Sequence, residues 1–354
     1  MKIILLIFCF SVFLSCGNEK LTPEEIYEKY KESVVLIRQD YYFSFTFKDG
    51  TVLYFNELVD GVLINAVFNE DEIIEYSLTG TGFFISSTGM IATNKHVTSP
   101  SVCADSEFDA YLALKEHFTA NNSEIYINIV NSHVEQIDLL DQQLSDVNMS
   151  QEDYNNTMIE REKWYNDYLF WTNLEKNNFN FNANNAVLQI HSTKLGVAFN
   201  NTFTTDVADF KDCIDISNEL NFPQDLAIIQ LKDKKTPQNV KDFANLSHKI
   251  SIGGRESLKI NSKVYMIGFN SGQEVGNTSN GLANQLTQGT VSQMPDKSQV
   301  LYSIPTLSGS SGSPIFGENG ELLAVNYAGI SNTQNFNYGI LAKHLLNLFK
   351  KVNN

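Results

Sequence analysis

Basic residues are scarce in this chain: 25 lysines and arginines face 41 aspartates and glutamates, for a net charge of −16 and a pI near 4.8. No basic stripe is present that could displace phosphate counterions, which excludes a nucleic acid as partner. The acidic balance mostly serves solubility. Long apolar runs are missing too. Nowhere do about eighteen or more apolar residues follow one another, so no segment reads as a membrane-spanning helix. Metal-ligand clusters, phosphate loops and nucleotide fingerprints are absent, and no metal or other cofactor is expected. The four cysteines, Cys9, Cys16, Cys103 and Cys213, are too few for a disulfide-built scaffold. Without internal repeats or low-complexity stretches, what remains is a globular chain of 354 residues, 42% hydrophobic and 19% charged. That length allows one large core or two moderate ones.

The N-terminus carries one positive charge, Lys2, then the apolar run Ile3 to Phe10, then small and apolar residues up to Cys16. This is the outline of a secretory signal. Phe13-Leu14-Ser15-Cys16 resembles a bacterial lipoprotein box, in which the cysteine becomes the acylated first residue of the mature chain. The expectation is a signal over residues 1–15, a lipid anchor at Cys16, and a place in the cell envelope, in the periplasm or at the outer membrane. A simple cleaved signal is the competing reading. Cys103 and Cys213 would then remain, either paired in an oxidising compartment or as two separate buried thiols.

Residues 16–32 read as a tether and a short helix, because Thr22-Pro23-Glu24-Glu25 puts proline in a first helical turn and acids against the helix dipole. From Ser33 to Leu78 β-branched and aromatic residues dominate, as in Val34–Ile37 and Tyr41–Phe47, with Asp49-Gly50 and Asp60-Gly61 as hairpin turns. Gly80–Ile85 and Gly89–Thr93 form another hairpin that runs directly into His96. Further strands are expected at 186–190, 195–199, 264–268, 287–292, 300–304 and 322–326, and a closing amphipathic segment at Ala342–Val352. Residues 131–176 break this rhythm. Val134, Ile137, Leu140, Leu144 and Val147, and then Tyr154, Met158, Tyr165 and Leu169, recur at helical spacings, with a turn near Asn148–Ser150. That helical hairpin reads either as an arm, lid or oligomer contact using Trp164 and Trp171, or as an insertion packing its aromatic stripe on the domain; the second is preferred. Many short strands and few helices make the chain mostly β: two antiparallel barrels, residues 33–250 with the hairpin and 251–354 with the closing helix.

Three segments carry chemistry. Gly309-Ser310-Ser311-Gly312-Ser313-Pro314 is a tight small-residue turn able to hold one serine out of regular structure, Thr93-Asn94-Lys95-His96-Val97 supplies a general base, and Asp225-Leu226-Ala227 supplies a carboxylate to orient it. A serine hydroxyl ionises too weakly alone near neutral pH, so a base must touch it. Each residue has a bland alternative: a satisfied core histidine, an aspartate that merely starts a strand, a serine in a polar turn. Their joint His, Asp, Ser order is hard to explain otherwise.

In six ordered pieces the sequence resembles the trypsin-like serine proteases, and within them the bacterial HtrA or Do branch: GTGFFISSTGMIATNKHV at 80–97, DLAIIQL at 225–231, VYMIGFNSG at 264–272, QGTVSQM at 288–294, GSSGSP at 309–314 and GELLAVNYAG at 320–329. Residues 51–75 and the helical insertion fall outside it. The resemblance implies two six-stranded β-barrels with the active site in the crevice between them. It implies Ser311 as nucleophile, His96 as general base, Asp225 as its orienting acid, and the N–H groups of Gly309 and Ser311 as oxyanion hole. Pro305 stands about where a basic-specific enzyme carries aspartate, and Val325, Asn326 and Tyr327 would offer backbone groups to an extended substrate. A small or medium apolar side chain is the expected preference. Two departures stand out: Ser310 replaces the aspartate that precedes the nucleophile in pancreatic-type enzymes, and Ser313 replaces the second glycine after it. With the sequence ending soon after the expected closing helix, the PDZ domain common in HtrA proteins is not expected. The expected partners are a polypeptide substrate, a membrane through the lipid anchor, and further copies of the chain. The expected function is a serine endopeptidase acting on exposed or unfolded envelope polypeptides; a catalytically idle protease-fold binding or adaptor protein, and a non-proteolytic acyl hydrolase, are the alternatives.

Overall fold

The computed structural model describes residues 20–47, 50–59, 62–99, 122–146, 149–176, 187–244, 246, 257–329 and 336–353. The signal over 1–15, Cys16, Cys103, the turn residues Asp49, Asp60 and Gly61, and Val147 and Asn148 of the hairpin lie outside the described residues.

Helix α1 (Pro23–Tyr30) starts where expected: Thr22 accepts from the Glu25 N–H, and the Glu25 carboxylate accepts from the Thr22 N–H, closing a capping box. The first barrel is built around β1 (Val34–Thr46), whose β-branched and aromatic residues are buried along nearly its whole length. Two strands expected in this stretch are therefore one. Strand β2 (Val52–Phe55) extends β1, and β3 (Glu57–Val59) with β4 (Val62–Ile64) forms a separate hairpin. Closure follows from the pairing order β1, β5 (Tyr76–Phe84), β6 (Met90–Thr93), β9 (Ala227–Leu231), β8 (Lys211–Asp215), β7 (Val187–Ala198) and back to β1. Strand β7 merges the runs expected at 186–190 and 195–199, because it lies beside β1 from Leu36↔Ala198 to Thr46↔Val187. Of the polar residues between those runs, Ser192 and Thr193 are exposed and His191 and Lys194 half-buried.

The second barrel is closed in the order β10 (Lys263–Gly268), β13 (Gln285–Gln293), β14 (Gln299–Tyr302), β17 (Asn337–Leu341), β16 (Leu322–Gly329) and β15 (Pro314–Phe316). A small ribbon, β11 (Asn277–Thr278) with β12 (Gly281–Leu282), precedes β13. Both barrels are six-stranded and antiparallel. Strands β8, β15 and β17 escaped the sequence reading, since runs of three to five residues carry little periodic signal. One apolar cluster spans the two barrels, joining Val34, Phe83 and Ile228 of the first to Tyr265, Phe316 and Val325 of the second. Tyr30 tightens that seam by stacking on Phe316 at 4.2 Å and donating to the Gly320 carbonyl. The closing helix Ala342–Val352 forms as expected and buries Leu345, Leu348 and Phe349.

Between β6 and β7 stand α2 (Lys95–Thr98) and the hairpin α3 (Asn122–Leu144) and α4 (Gln151–Lys176), with α3 beginning nine residues before its expected start. Ser150 caps α4 by accepting from the Asp153 N–H. The insertion packs on the barrel: Ile129 and Trp171 join Tyr41, Phe43, Phe45, Leu53 and Phe55 in a second core. The faces agree with the expectation only in part, since Ile137, Leu140 and Trp171 are buried as their stripes require. Val134 is exposed while Ile129, His133, Ile137 and Leu140 are buried, and Tyr154, Met158, Tyr165 and Leu169 of α4 face solvent while Asp167 and Trp171 turn inward. Large aromatic rings at the barrel end select Trp171, and the helix rotates to deliver it.

That rotation buries Asp167, whose carboxyl is pushed up to about 6 by loss of solvent, against the opposing effects of the Asn65 N–H and Lys163. A raised carboxyl pKa means the folded state holds its proton more tightly, so stability falls as pH rises from the unfolded value to about 6 and stays reduced above it. Asp167→Asn is expected to raise stability at pH 8 by about 3 kcal/mol, with the difference from wild type vanishing near pH 4. Thermal melts of both proteins across that range read it; a difference independent of pH would rule out the titration of Asp167 as its cause.

Candidate active site

The register of β6 against β9 brings the base and the acid together. Thr93 pairs with Ala227, so the residues two or three beyond Thr93 meet Asp225, just before β9. The Asn94 amide donates to the Asp225 carbonyl at 2.8 Å and fixes that approach. Both carboxylate oxygens of Asp225 then hold His96, one accepting from its backbone N–H at 3.0 Å and the other from ring Nδ1 at 2.6 Å. With Nδ1 donating, neutral imidazole keeps its lone pair on Nε2, the tautomer a general base requires. Both side chains are partly exposed, His96 by 21% and Asp225 by 27%. His133, His191 and His344 lie elsewhere: His133 sits inside the helical hairpin, His191 stacks on Tyr42, and His344 contacts the Lys297 carbonyl.

The loop between β14 and β15 carries Ser311 and is docked on the first barrel through Thr81 of β5. The Thr81 N–H donates to the Ser311 carbonyl at 2.8 Å, its hydroxyl donates to the Gly309 carbonyl at 2.8 Å, and its own carbonyl accepts from the Thr93 hydroxyl. Thr81 is fully buried, and it ties the loop to the strand that leads into His96. Sequence reasoning missed this residue; its only signal was a hydroxyl between two glycines, Gly80 and Gly82, at a tightly packed place. Gly309 and Gly312 have φ of 86° and 88°, and a Cβ on Gly312 would stand 2.0 Å from the Thr81 carbonyl oxygen. Among the described residues the N–H groups of Gly309 and Ser311 donate to no protein acceptor, although those of Ser310, Gly312 and Ser313 all do. The Ser311 hydroxyl also has no hydrogen bond among these residues, so the structure joins base to acid but not serine to base.

Residues 183–325 match the family model described as the trypsin-like peptidase domain. The matched segment is less than half of the chain; it holds Asp225, Gly309 and Ser311 but begins after His96, which the insertion separates from the rest. Among solved structures the chain is similar to a serine endoprotease from Yersinia pestis, at 14% identity and a TM-score of 0.42, over 94% of this chain and 66% of that one. It is similar to an M. tuberculosis protease in its active form at 12% and 0.42, over 92% and 83%, and to the HtrA-type protease AlgW at 10% and 0.43, over 94% and 64%. It therefore spans just under two thirds of the Yersinia and AlgW chains. No curated protein matches the sequence.

The two departures from the family pattern noted in the sequence have structural answers. Ser313 is fully buried where a second glycine is usual, and room for it comes from Gly268 of β10, on which a Cβ would sit 2.0 Å from the Ser313 hydroxyl. Ser310 donates to the Leu307 carbonyl and accepts from the Asn326 amide. The expected substrate-binding residues divide. Pro305 is exposed, early in the loop that carries Ser311. Val325 and Asn326 do not fit that role: Val325 is paired to Pro314 on one side and Ile340 on the other, and the Asn326 N–H and carbonyl bond Ser313 and Gly312. Their backbone is consumed by β16 itself, so no edge is left there for a substrate strand. Tyr327 differs, because the β16–β17 register shifts between Asn326 and Ala328 and leaves it at a bulge; its hydroxyl donates to Gln299.

Cys213 is a free, buried thiol pushed up to about 12 by burial, an unreactive side chain. It lines a cavity of about 590 Å³ with Thr98, Lys194, Asp212 and Lys232, which includes none of His96, Asp225 and Ser311. Among the described residues no cluster of three or more histidines, cysteines or acids is arranged to hold a metal, and no helix is long and apolar enough to cross a membrane.

Proposed function

We propose that the chain is a serine endopeptidase that cleaves exposed or unfolded polypeptides of the cell envelope. Ser311 attacks the peptide carbonyl while His96 Nε2 takes its hydroxyl proton and passes it to the leaving amine; Asp225 keeps the ring in that tautomer. The C–N bond breaks, an acyl group remains on Ser311, and water activated by His96 releases it. The Gly309 and Ser311 N–H groups receive the negative oxygen, each worth roughly 2.7 to 4 kcal/mol in the transition state. The observation that carries this reading is the two-point grip of Asp225 on His96, at 3.0 and 2.6 Å. No charged residue lies between Lys297 and Glu318, which supports a small or medium apolar side chain before the cleaved bond.

A fluorophosphonate probe tests the reading: labelling confined to Ser311, with turnover of a peptide library, is the expected result. One observation favours a second reading, an idle protease-fold binding protein of the envelope: no hydrogen bond joins Ser311 to His96. Catalytic hydrogen bonds often tighten only with substrate, which is why the first reading stands. A folded protein that neither labels nor cleaves decides for the second.

The anchor at Cys16 belongs to the same proposal, supported by the Phe13-Leu14-Ser15-Cys16 box. Cys16→Ser is expected to move the mature protein from a detergent-requiring membrane fraction to a soluble envelope fraction. Equal membrane retention would assign attachment to another part of the chain.

A further inference from the structure

The peptide unit that ends in the Ser311 N–H is held from behind by a buried side-chain relay. The Tyr302 hydroxyl donates to Asn326 Oδ1 at 2.6 Å, and Asn326 Nδ2 donates to the Ser310 carbonyl at 2.9 Å and to the Ser310 hydroxyl at 3.2 Å. Ser310 in turn spends its own proton on the Leu307 carbonyl at 2.6 Å. The Asn326 direction is fixed by chemistry, since the Ser310 carbonyl can only accept and the amide nitrogen can only donate, while the Tyr302 proton lies between Asn326 Oδ1 and, at 3.1 Å, the Tyr338 carbonyl. Tyr302 and Ile304 are buried, Asn326 is 2% and Ser310 3% exposed, so the relay works out of water, where a complete network is rigid.

A trans peptide directs its carbonyl and its N–H to opposite sides. Anchoring the Ser310 carbonyl on Asn326 therefore turns the following N–H, that of Ser311, away from Asn326 and leaves it without a protein acceptor among the described residues. Gly309 is treated in the same way by the backbone: the Ser308 carbonyl accepts from the Ser271 N–H at 2.6 Å, which turns the Gly309 N–H outward. We infer that Asn326, braced by Tyr302, is the positioning residue that holds the Ser311 N–H in its oxyanion-binding direction. It does so at the position before the nucleophile where Ser310 provides no carboxylate for a terminal ion pair. The inference rests on the peptidase reading above and adds to it a reason why the site needs no newly cut N-terminus to form.

The test uses Asn326→Asp, which keeps shape and still accepts from Tyr302 but cannot, as a carboxylate, donate to the Ser310 carbonyl. At pH 8 kcat on a fluorogenic peptide is expected to fall roughly 100-fold, the loss typical of one oxyanion donor, with KM within about three-fold. The affinity of a peptide boronate, which presents the transition-state oxygen, is expected to fall in step with kcat, while that of the cleaved peptide product is unchanged. Should a buried carboxylate prevent folding, Tyr302→Phe decides: it removes the brace on Asn326 together with the weaker contact to the Tyr338 carbonyl, and about a 10-fold loss with the same split between kcat and KM is expected. Retention of kcat within three-fold, or a loss carried by KM or by the melting temperature alone, in the folded variant would overturn the positioning role. A wild-type protein that neither labels with fluorophosphonate nor cleaves peptide overturns the peptidase reading itself and this inference with it, so the two failures are told apart by the wild type.

Discussion

Ser311→Ala is expected to abolish peptide hydrolysis, a fall on the order of 10⁶ in kcat by comparison with other serine nucleophiles, and to leave the thermal unfolding curve where it was. The first half follows from the reaction: without the hydroxyl no acyl-enzyme forms, and water positioned by His96 is the only nucleophile left. The second half follows from how the loop is built. Its conformation depends on main-chain groups of Ser311, whose carbonyl accepts from Thr81, and on neighbours whose bonds do not involve the Ser311 side chain. The hydroxyl itself is not used to hold the loop, having no hydrogen bond among the described residues. A fluorogenic peptide assay with a circular dichroism melt reads both halves. Turnover within about ten-fold of wild type in the folded variant would remove Ser311 from the mechanism; a collapsed melt would show that its side chain is structural.

The largest effect on stability is expected at Trp171→Ala, about 3 to 5 kcal/mol, the range for emptying the site of a large buried aromatic ring. Trp171 is 0% exposed and meets Phe170 edge-on at 5.4 Å, within the cluster that caps the far half of β1 and β2. That cluster shares no residue with the one beneath the two barrels, so peptide turnover per folded molecule is expected to stay close to wild type. Chemical denaturation midpoints measure the first effect and active-site titration normalises the second. A change in stability below about 1 kcal/mol would mean that the hairpin is only loosely laid on the barrel. A loss of turnover in molecules that remain folded would instead couple the insertion to the site.

Why the site was legible before the fold was described is clear from its segments. His96, Asp225 and Ser311 each stand beside residues that backbone geometry demands: a strand ending at Thr93, a strand starting at Ala227, and glycines at 309 and 312 whose positive φ only glycine adopts freely. Local demands of this kind leave local marks. Val325 and Asn326 were misassigned because a strand residue reads the same from sequence whether its backbone faces a substrate or another strand; β15 and β17 on its two sides are what decide it. The hairpin erred in a similar way. Tyr154, Met158, Tyr165 and Leu169 share a helix face as their spacing says, but periodicity names a face without saying whether anything covers it.

By itself, then, the sequence determined the mostly β class, the helix at Ala342–Val352, the helical hairpin, and the three residues proposed for the chemistry, because period, turn chemistry and glycine φ are properties of neighbours along the chain. Only the tertiary structure decided that Asp225 grips His96 at two atoms, that Thr81 docks the Ser311 loop, that Gly268 makes room for Ser313, and that Tyr302 and Asn326 hold the Ser310 carbonyl. Each of those joins residues far apart in the chain. Directional hydrogen bonds and exclusion of overlapping atoms act across space at distances near 3 Å, and which residues reach that distance is set by how the two barrels close and meet.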